Sequence, residues 1–435
     1  MTEKFFVYEP MEDSMLILDF IDKNKELFKG KKVLDMGTGS GILGLRTADL
    51  GASVVAVDIN PKAIEYVKER IKNIKMKGKK VRVQPRVSDL FSSIRKNEVF
   101  DIILFNPPYL PRIKGEDKEL QTAISGGKHG YEIIERFMSM VNEHLKNDGF
   151  ILLVFSSLTK KQVVDEIIIK YGFDFELLRT KSFDFETLYL YKIKKQNFLK
   201  HKGITRVVLF DRGKRGLVYK AILKTRLKRG YKQEEVIIKV LRRETKARES
   251  IKREGFWLEK LNKHNIGPKL IYSGEDYLIM EFVKGDLIID YLESKNTKKQ
   301  DIIRVIMLVL EQCLLLDSLG ITKKEMNHPQ KHIIIKKDKN NRVRVVMIDF
   351  ERTIETKKPK NTTQYLQFLT TKRIINVLKK KGIKVEKDCL IKIGGEYKKR
   401  IKEKGIREVK VVKEELINKV MRCLNEEERG RKEQK

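Results

Sequence analysis

Between residues 31 and 193 the chain alternates short β-branched runs with stretches of helical period, and this alternation limits the fold more tightly than any other feature. Residues 32–35, 53–58, 80–86, 100–105 and 150–155 have the length and apolar continuity of buried strands. Helices are predicted between them over residues 41–50, 61–75, 131–145 and 160–171, and residues 175–180 and 187–193 read as an antiparallel edge pair. Strand and helix in succession imply an α/β, doubly wound, Rossmann-like sheet. Ligands of such sheets collect beyond the carboxyl ends of the strands, so the residues that follow each strand are the candidates for chemistry.

After the first strand comes Asp35-Met36-Gly37-Thr38-Gly39-Ser40-Gly41-Ile42, a turn whose glycines Gly37, Gly39 and Gly41 let a bulky ligand lie on bare backbone. The pattern alone is weak, because dehydrogenases and plain structural turns share it. The second strand, however, ends at Asp58, a carboxylate suited to ribose hydroxyls, and the third is followed by Asp89, suited to an adenine amino group. Each acid taken singly is equally a helix cap. Three of them at successive strand ends, with Asp35 the first, indicate a nucleoside cofactor site.

The fourth strand ends at Asn106-Pro107-Pro108-Tyr109. An amide or aromatic amino nitrogen is a poor nucleophile because its lone pair is delocalised, and this tetrapeptide supplies what such a nitrogen needs. The Asn106 side-chain oxygen and the Pro107 carbonyl accept its two N–H bonds, the paired prolines stiffen that carbonyl, and Tyr109 packs on the planar group. The bland alternative is a rigid Pro-Pro loop without chemistry.

Through these residues the chain resembles the class I methyltransferases with an NPPY motif, and in particular the HemK/PrmC-like family that methylates the glutamine of the Gly-Gly-Gln loop of peptide release factors. Two further segments are similar to its archaeal and eukaryotic branch: Tyr8-Glu9-Pro10-Met11-Glu12-Asp13-Ser14 near the start, and Gly126-Gly127-Lys128-His129-Gly130 after the motif. The resemblance implies S-adenosylmethionine as cofactor, a release factor as substrate, a substrate side formed by Tyr8, Glu9, Pro10, Gly126 and Gly127, and a small zinc-binding activator protein as a partner. Some members methylate lysine, and NPPY also occurs in enzymes acting on RNA or DNA amino groups, so both substrates stay open. Residues 8–14 are equally open to plain helix capping by Glu12, Asp13 or Ser14, and residues 126–130 to a lid over a peptide or to a simple connection.

A second pattern begins near residue 203, with strand, glycine turn and strand around Gly213, Gly216 and Val218, then a strand carrying Lys239. A charged helix over 244–261 places Glu254, with Glu249 and Glu259 as substitutes, to hold Lys239 by an ion pair. Further on come a strand pair (270–282), an apolar helix (301–319) and a hairpin (333–348) ending at Ile348-Asp349-Phe350-Glu351. In this order the segments resemble a small atypical protein kinase, near the archaeal serine/threonine kinase-like proteins and the RIO family. That implies a two-lobed α+β module over residues 203–370, ATP bound through Gly213, Gly216, Val218, Lys239 and Glu254, and Mg2+ held by Asp349 and His332. The catalytic loop departs from the family: Asn327 stands at the proton-accepting Asp and His332 at the metal-binding Asn. Asparagine accepts no proton, so transfer needs another base, with Glu325 the candidate, or the module is a pseudokinase used for docking. The domain expectation is therefore a methyltransferase over 1–195, the kinase-like module over 203–370 and a basic helical extension over 371–435.

Of the net charge of +34, residues up to 195 carry about +5 and the remainder about +29. The basic half favours a ribosome or RNA partner by counterion release, although Lys-rich composition also occurs in thermophile surfaces. No apolar run is long enough to span a bilayer and residues 1–20 lack a signal-peptide pattern, which leaves no membrane role and a cytoplasmic expectation. Cys313, Cys389 and Cys423 are widely spaced, form no C-x-x-C pair, and read as inert thiols.

Overall fold

The computed structural model describes residues 12–111, 126–213, 216–241, 249–337 and 342–424, with Asn327 described for its backbone alone. The chain divides into two compact units, one of residues 1–213 with 217–235, the other of residues 214–216 with 236–435.

The first unit opens on α1 (Glu12–Lys23) and continues as β1 (Lys32–Met36), α2 (Ile42–Asp49), β2 (Ser53–Asp58), α3 (Pro61–Met76), β3 (Arg82–Val87), β4 (Phe100–Phe105), α4 (Glu132–Met140), β5 (Leu145–Ser156), α5 (Lys161–Lys170), β6 (Phe173–Ser182) and β7 (Thr187–Lys195). The seven strands make one sheet of order β3-β2-β1-β4-β5-β7-β6. Strands β1 to β5 run parallel, and β7 lies antiparallel to both β5 and β6. The central strands carry apolar runs directed to both faces of the sheet: Val33, Leu34, Ile102, Ile103, Leu104, Ile151, Leu152 and Leu153 are all buried.

Strand β5 starts five residues earlier than its apolar core suggests. Backbone pairing of Phe100 with Leu145 extends the ladder through the polar Lys146-Asn147-Asp148, which apolar patterning cannot reveal. For the same reason the helix expected over 131–145 stops at Met140 and passes through a 3-10 turn, Val141–Glu143, into that strand.

The antiparallel pair β8 (Ile204–Arg212) and β9 (Gly216–Arg226) belongs, up to Gly213 and from Leu217, to the first unit. Buried Tyr219 accounts for this, since its hydroxyl donates to the Ile169 carbonyl at 2.9 Å and its ring lies 4.7 Å from that of Phe198. Strand β10 (Tyr231–Leu241) crosses the boundary, and residues 236–240 pair antiparallel with β12 (Tyr277–Glu281) in the second unit.

That unit also holds α6 (Glu249–Asn262), β11 (Leu270–Ser273) beside β12, β13 (Asp286–Leu287), α7 (Ile288–Glu293), α8 (Lys299–Ser318), β14 (Ile321–Thr322), the hairpin β15 (Ile333–Lys337) and β16 (Val343–Met347), and β17 (Ile354–Glu355). Four helices follow, α9 (Asn361–Leu369), α10 (Lys372–Lys380), α11 (Lys387–Lys404) and α12 (Glu408–Leu424). Apolar α8 is the centre of the core, and Tyr365, Leu390, Ile393, Val412, Leu416 and Val420 from the last helices bury in the same cluster. Residues 371–424 are thus packed into the unit, their basic side chains turned outward.

One expectation is corrected here. Cys389 and Cys423 form a disulfide, with Cα atoms 6.0 Å apart, at the start of α11 and the end of α12. Spacing along the chain hid it because the antiparallel helices return residue 423 to residue 389. Cys313 remains a free, buried thiol, its pKa pushed up by burial. Among the described residues no helix is long and apolar enough to cross a membrane.

Candidate functional site

The order of the first sheet reverses between β1 and β4, whose carboxyl ends lie side by side with Met36 in register with Phe105. This is the switch point at which doubly wound sheets hold ligands. The glycine turn follows one strand and Asn106 the other, and a Cβ placed on Gly37 would lie 3.9 Å from the Asn106 carbonyl oxygen.

Gly37, Gly39 and Gly41 adopt φ of 68°, 50° and 76°, left-handed values that strain residues with a Cβ. Asp58 reaches the turn from β2: Oδ2 accepts from Gly39 N and Oδ1 from Asn60 N, both at 2.9 Å. Burial raises its pKa, and these backbone bonds partly counter the rise. Bare backbone beside a carboxylate with spare lone pairs fits a ribonucleoside such as that of S-adenosylmethionine.

Asp35 does something other than line this site. It is buried, and its Oδ2 accepts from Thr38 Oγ1 at 2.5 Å and Gly44 N at 2.9 Å, clamping the turn onto α2. A Cβ on Gly44 would come within 2.8 Å of the same oxygen, so Gly44 is needed as well, a requirement the sequence reading missed. Asp89, after β3, is exposed and ion-paired with Arg136 at 2.8 Å.

Burial lifts the Asp35 pKa from its ordinary 3.8 to about 6 despite the two hydrogen bonds. Between these values the folded state holds more proton than the unfolded chain, so stability falls as pH rises from about 4 to about 6 and then levels, by about 3 kcal/mol. Asp35→Asn should flatten that part of the profile in urea unfolding measured from pH 4 to 8; an unchanged slope would assign it to other groups.

Asn106 and Tyr109 are both anchored by the first turn of α1. Asn106 Nδ2 donates to Ser14 Oγ at 3.2 Å and the Tyr109 hydroxyl donates to Asp13 Oδ2 at 3.1 Å. Asp13 and Ser14 are buried, and Asp13 Oδ1 accepts the Ser14 backbone N–H at 2.6 Å. With Nδ2 turned to Ser14, Asn106 is left with Oδ1, a buried acceptor that has no partner among the described residues. Such an orphan is costly unless a ligand donor meets it. Asp13 and Ser14 thus hold Tyr109 and Asn106, although their sequence pattern also reads as capping.

Residues 126–130 are pinned to the same motif. Gly126 N donates to Leu110 O at 3.0 Å, and Cβ atoms on Gly126 and Gly130 would lie 2.5 Å from Pro108 O and 2.3 Å from Tyr109 O. Gly127, at φ 117°, would meet the Glu132 carboxylate at 2.6 Å. Gly126 and Gly130 therefore serve a close approach to the tetrapeptide, and Gly127 a close approach to Glu132. Tyr8, Glu9 and Pro10 lie outside the described residues.

In the second unit Lys239 Nζ meets both oxygens of buried Glu254, at 2.7 and 2.8 Å. Burial lowers the Lys239 pKa, but Glu254 and Asp349 outweigh it and leave the ammonium raised. Asp349, at φ 67°, follows β16, with Lys239 Nζ 3.7 Å from Oδ1 and His332 Nδ1 3.6 Å from Oδ2. Fully buried Lys323 donates to the Asp349 carbonyl and pairs with Glu325 at 3.2 Å. Gly213 and Val218 fall in the first unit; Gly216 falls in the second, where a Cβ would meet Val240 O at 2.5 Å, so strand packing explains that glycine.

Mg2+ requires near-octahedral oxygen donors, whereas Asp349 is faced by two lysines and an imidazole. Among the described residues no group of three His, Cys, Asp or Glu is placed to hold a metal. The expectation that Asp349 and His332 hold magnesium gains no support from this arrangement. Glu325 is tied to Lys323 at 3.2 Å, with Arg352 at 3.8 Å.

The Methyltransferase small domain family model matches residues 12–174. A Methanocaldococcus jannaschii protein provisionally named protein N5-glutamine methyltransferase is 40% identical over 185 residues, covering 42% of this chain and 88% of the relative. Human Methyltransferase HEMK2 is 32% identical over 156 residues, or 34% of this chain and 71% of that protein. The solved E. cuniculi Mtq2–Trm112 complex, described as responsible for methylation of the eRF1 termination factor, aligns with 44% of this chain and 99% of its own at 26% identity and a TM-score of 0.34. By its identity to relatives whose length it largely spans, the chain belongs to the HemK-like family of protein N5-glutamine methyltransferases and is an S-adenosylmethionine-dependent enzyme.

Proposed function

We propose that the first unit methylates the side-chain amide nitrogen of glutamine in the Gly-Gly-Gln loop of a peptide release factor. The observation that carries this reading is the orphaned Asn106 Oδ1, held in one orientation by Ser14. An amide N–H directed at that oxygen satisfies it, and the Pro107 carbonyl, stiffened by the following proline, takes the second N–H. With both bonds held, the nitrogen lone pair is turned to one side. S-adenosylmethionine supplies a methyl group on cationic sulfur when bound, and Gly37, Gly39, Gly41 and Asp58 are the residues that would hold it. Asn106 and Pro107 then stabilise the positive charge that develops on the amide nitrogen, whose surplus proton passes to water. The name of the Methanocaldococcus jannaschii relative specifies N5 of glutamine, and that of a Koribacter versatilis relative specifies the glutamine of a release factor.

Incubation with labelled methyl donor tests the reading. Label is expected in the release factor and absent when its loop glutamine is replaced by glutamate; label in RNA, DNA or lysine alone overturns it. A small zinc-binding activator protein is the proposed partner, expected to raise the labelling rate when added. A translation-factor substrate implies a cytoplasmic enzyme, a compartment in which disulfides such as Cys389–Cys423 persist in hyperthermophiles.

For the second unit we infer a kinase-like, ATP-binding module with docking to ribosome or RNA through its basic surface, supported by the Lys239–Glu254 pair next to Asp349. ATP at a hundredfold above its Kd should stabilise it by about 2.7 kcal/mol in thermal unfolding. Lys239→Met should abolish the shift and Mg2+ should add little; no shift with ATP under either condition leaves docking as the sole role.

A further inference from the structure

Each element that positions Asn106 or Tyr109 also carries an exposed apolar side chain. Ser14, the partner of Asn106 Nδ2, is followed by Met15, 47% exposed. Thr159 Oγ1 donates to the Tyr109 carbonyl at 3.0 Å, and Leu158 beside it is 45% exposed. Both belong to the 3-10 turn Ser157–Thr159, in which Ser157 Oγ accepts the Thr187 N–H at 3.0 Å. That bond ties the turn to the β6–β7 connection, where Phe183 is 42% and Phe185 93% exposed. The connection is closed by Phe183 N donating to Glu186 O at 2.7 Å. Lys181 on β6 pairs with Glu12 at the start of α1 and lies 5.4 Å from the centroid of the Phe183 ring, which closes the circuit of elements around the motif.

Apolar side chains scattered over a surface need no explanation, but four on mutually hydrogen-bonded elements around one polar centre do. We propose that Met15, Leu158, Phe183 and Phe185 form an apolar rim that grips the polypeptide flanking the methylated glutamine, an inference that rests on the protein-glutamine reading above. The chemistry favours polypeptide over nucleic acid. A phosphate backbone needs unpaired cations, yet Lys181, Lys161 and Arg179 are each held by an acid, Glu12, Asp165 and Asp19. The turn itself adds Asp184 and Glu186. A rim that carries two carboxylates and offers two phenyl rings suits a protein loop whose side chains bury on either side of the target amide.

The double variant Phe183→Ser/Phe185→Ser, compared with Phe183→Leu/Phe185→Leu, tests this in the full chain with intact release factor as the probe. The serine pair should raise KM for the release factor about tenfold or more, with kcat and methyl-donor affinity within about twofold of the parent and the melting temperature unchanged. The leucine pair should restore KM. Unchanged KM in the serine variant, or a fall in kcat alone, overturns the rim while leaving the glutamine reading intact. Absence of labelling in the unsubstituted enzyme removes that reading and the rim with it.

Discussion

Asn106→Ala should reduce turnover on the protein substrate about a hundred- to a thousand-fold, the loss typical of removing one preorganised group that stabilises developing charge. Binding of the methyl donor should survive, because the glycine turn and Asp58 keep their own bonds, Gly39 N to Asp58 and Gly44 N to Asp35. Ser14→Ala should fall between the two. It leaves Asn106 in place but frees its Nδ2, so the amide group loses the bond that decides which end faces the substrate. Single-turnover rates with saturating methyl donor, beside calorimetry of donor binding, separate the effects. Equal loss of donor affinity and turnover in Asn106→Ala would make the residue a structural part of the donor pocket.

Asp317→Ala should destabilise the second unit by about 3–5 kcal/mol, the cost of removing one partner from a buried charged network. Asp317 is wholly buried near the end of α8. It accepts from the Asn361 backbone N–H at 3.1 Å and side-chain Nδ2 at 2.8 Å, from Thr362 N at 3.1 Å and from the Tyr397 hydroxyl at 2.9 Å. One carboxylate thereby caps α9 and fastens α11. Burial pushes its pKa up, and hydrogen bonds from Thr362, Tyr397 and Asn361 draw it back part of the way. Alanine leaves those donors without an acceptor and opens a cavity among them. Urea unfolding followed by a probe in this unit should show the loss as a lower midpoint; a change under 1 kcal/mol would mean that water replaces the carboxylate.

The elements of the first unit were legible because parallel strands buried on both faces are apolar runs and the helices between them keep their period. The glycine turn, Asp58 and Asn106 were legible because the chemistry of a strand end is local. What escaped the sequence is what distant segments do to one another. Asp35 belongs by position to the cofactor turn, but Thr38 and Gly44 draw its carboxylate inward. Asp13 and Ser14 read as a helix start, and only the fold carries them to residues 109 and 106. Asp317 gave a faint signal as an acid near the end of an apolar helix. In the second unit the pairing of Lys239 with Glu254 was readable from their spacing, while buried Lys323, outside every motif, donates to the Asp349 carbonyl.

The bridge between Cys389 and Cys423 turns the last helical pair into a covalently closed loop of 34 residues' separation. A protease that cuts once inside that loop, for instance at the Gly405 bend between α11 and α12, produces two fragments that remain one species under oxidising conditions. They part only on addition of thiol, so nicked and intact protein run alike on a gel without reductant and apart with it.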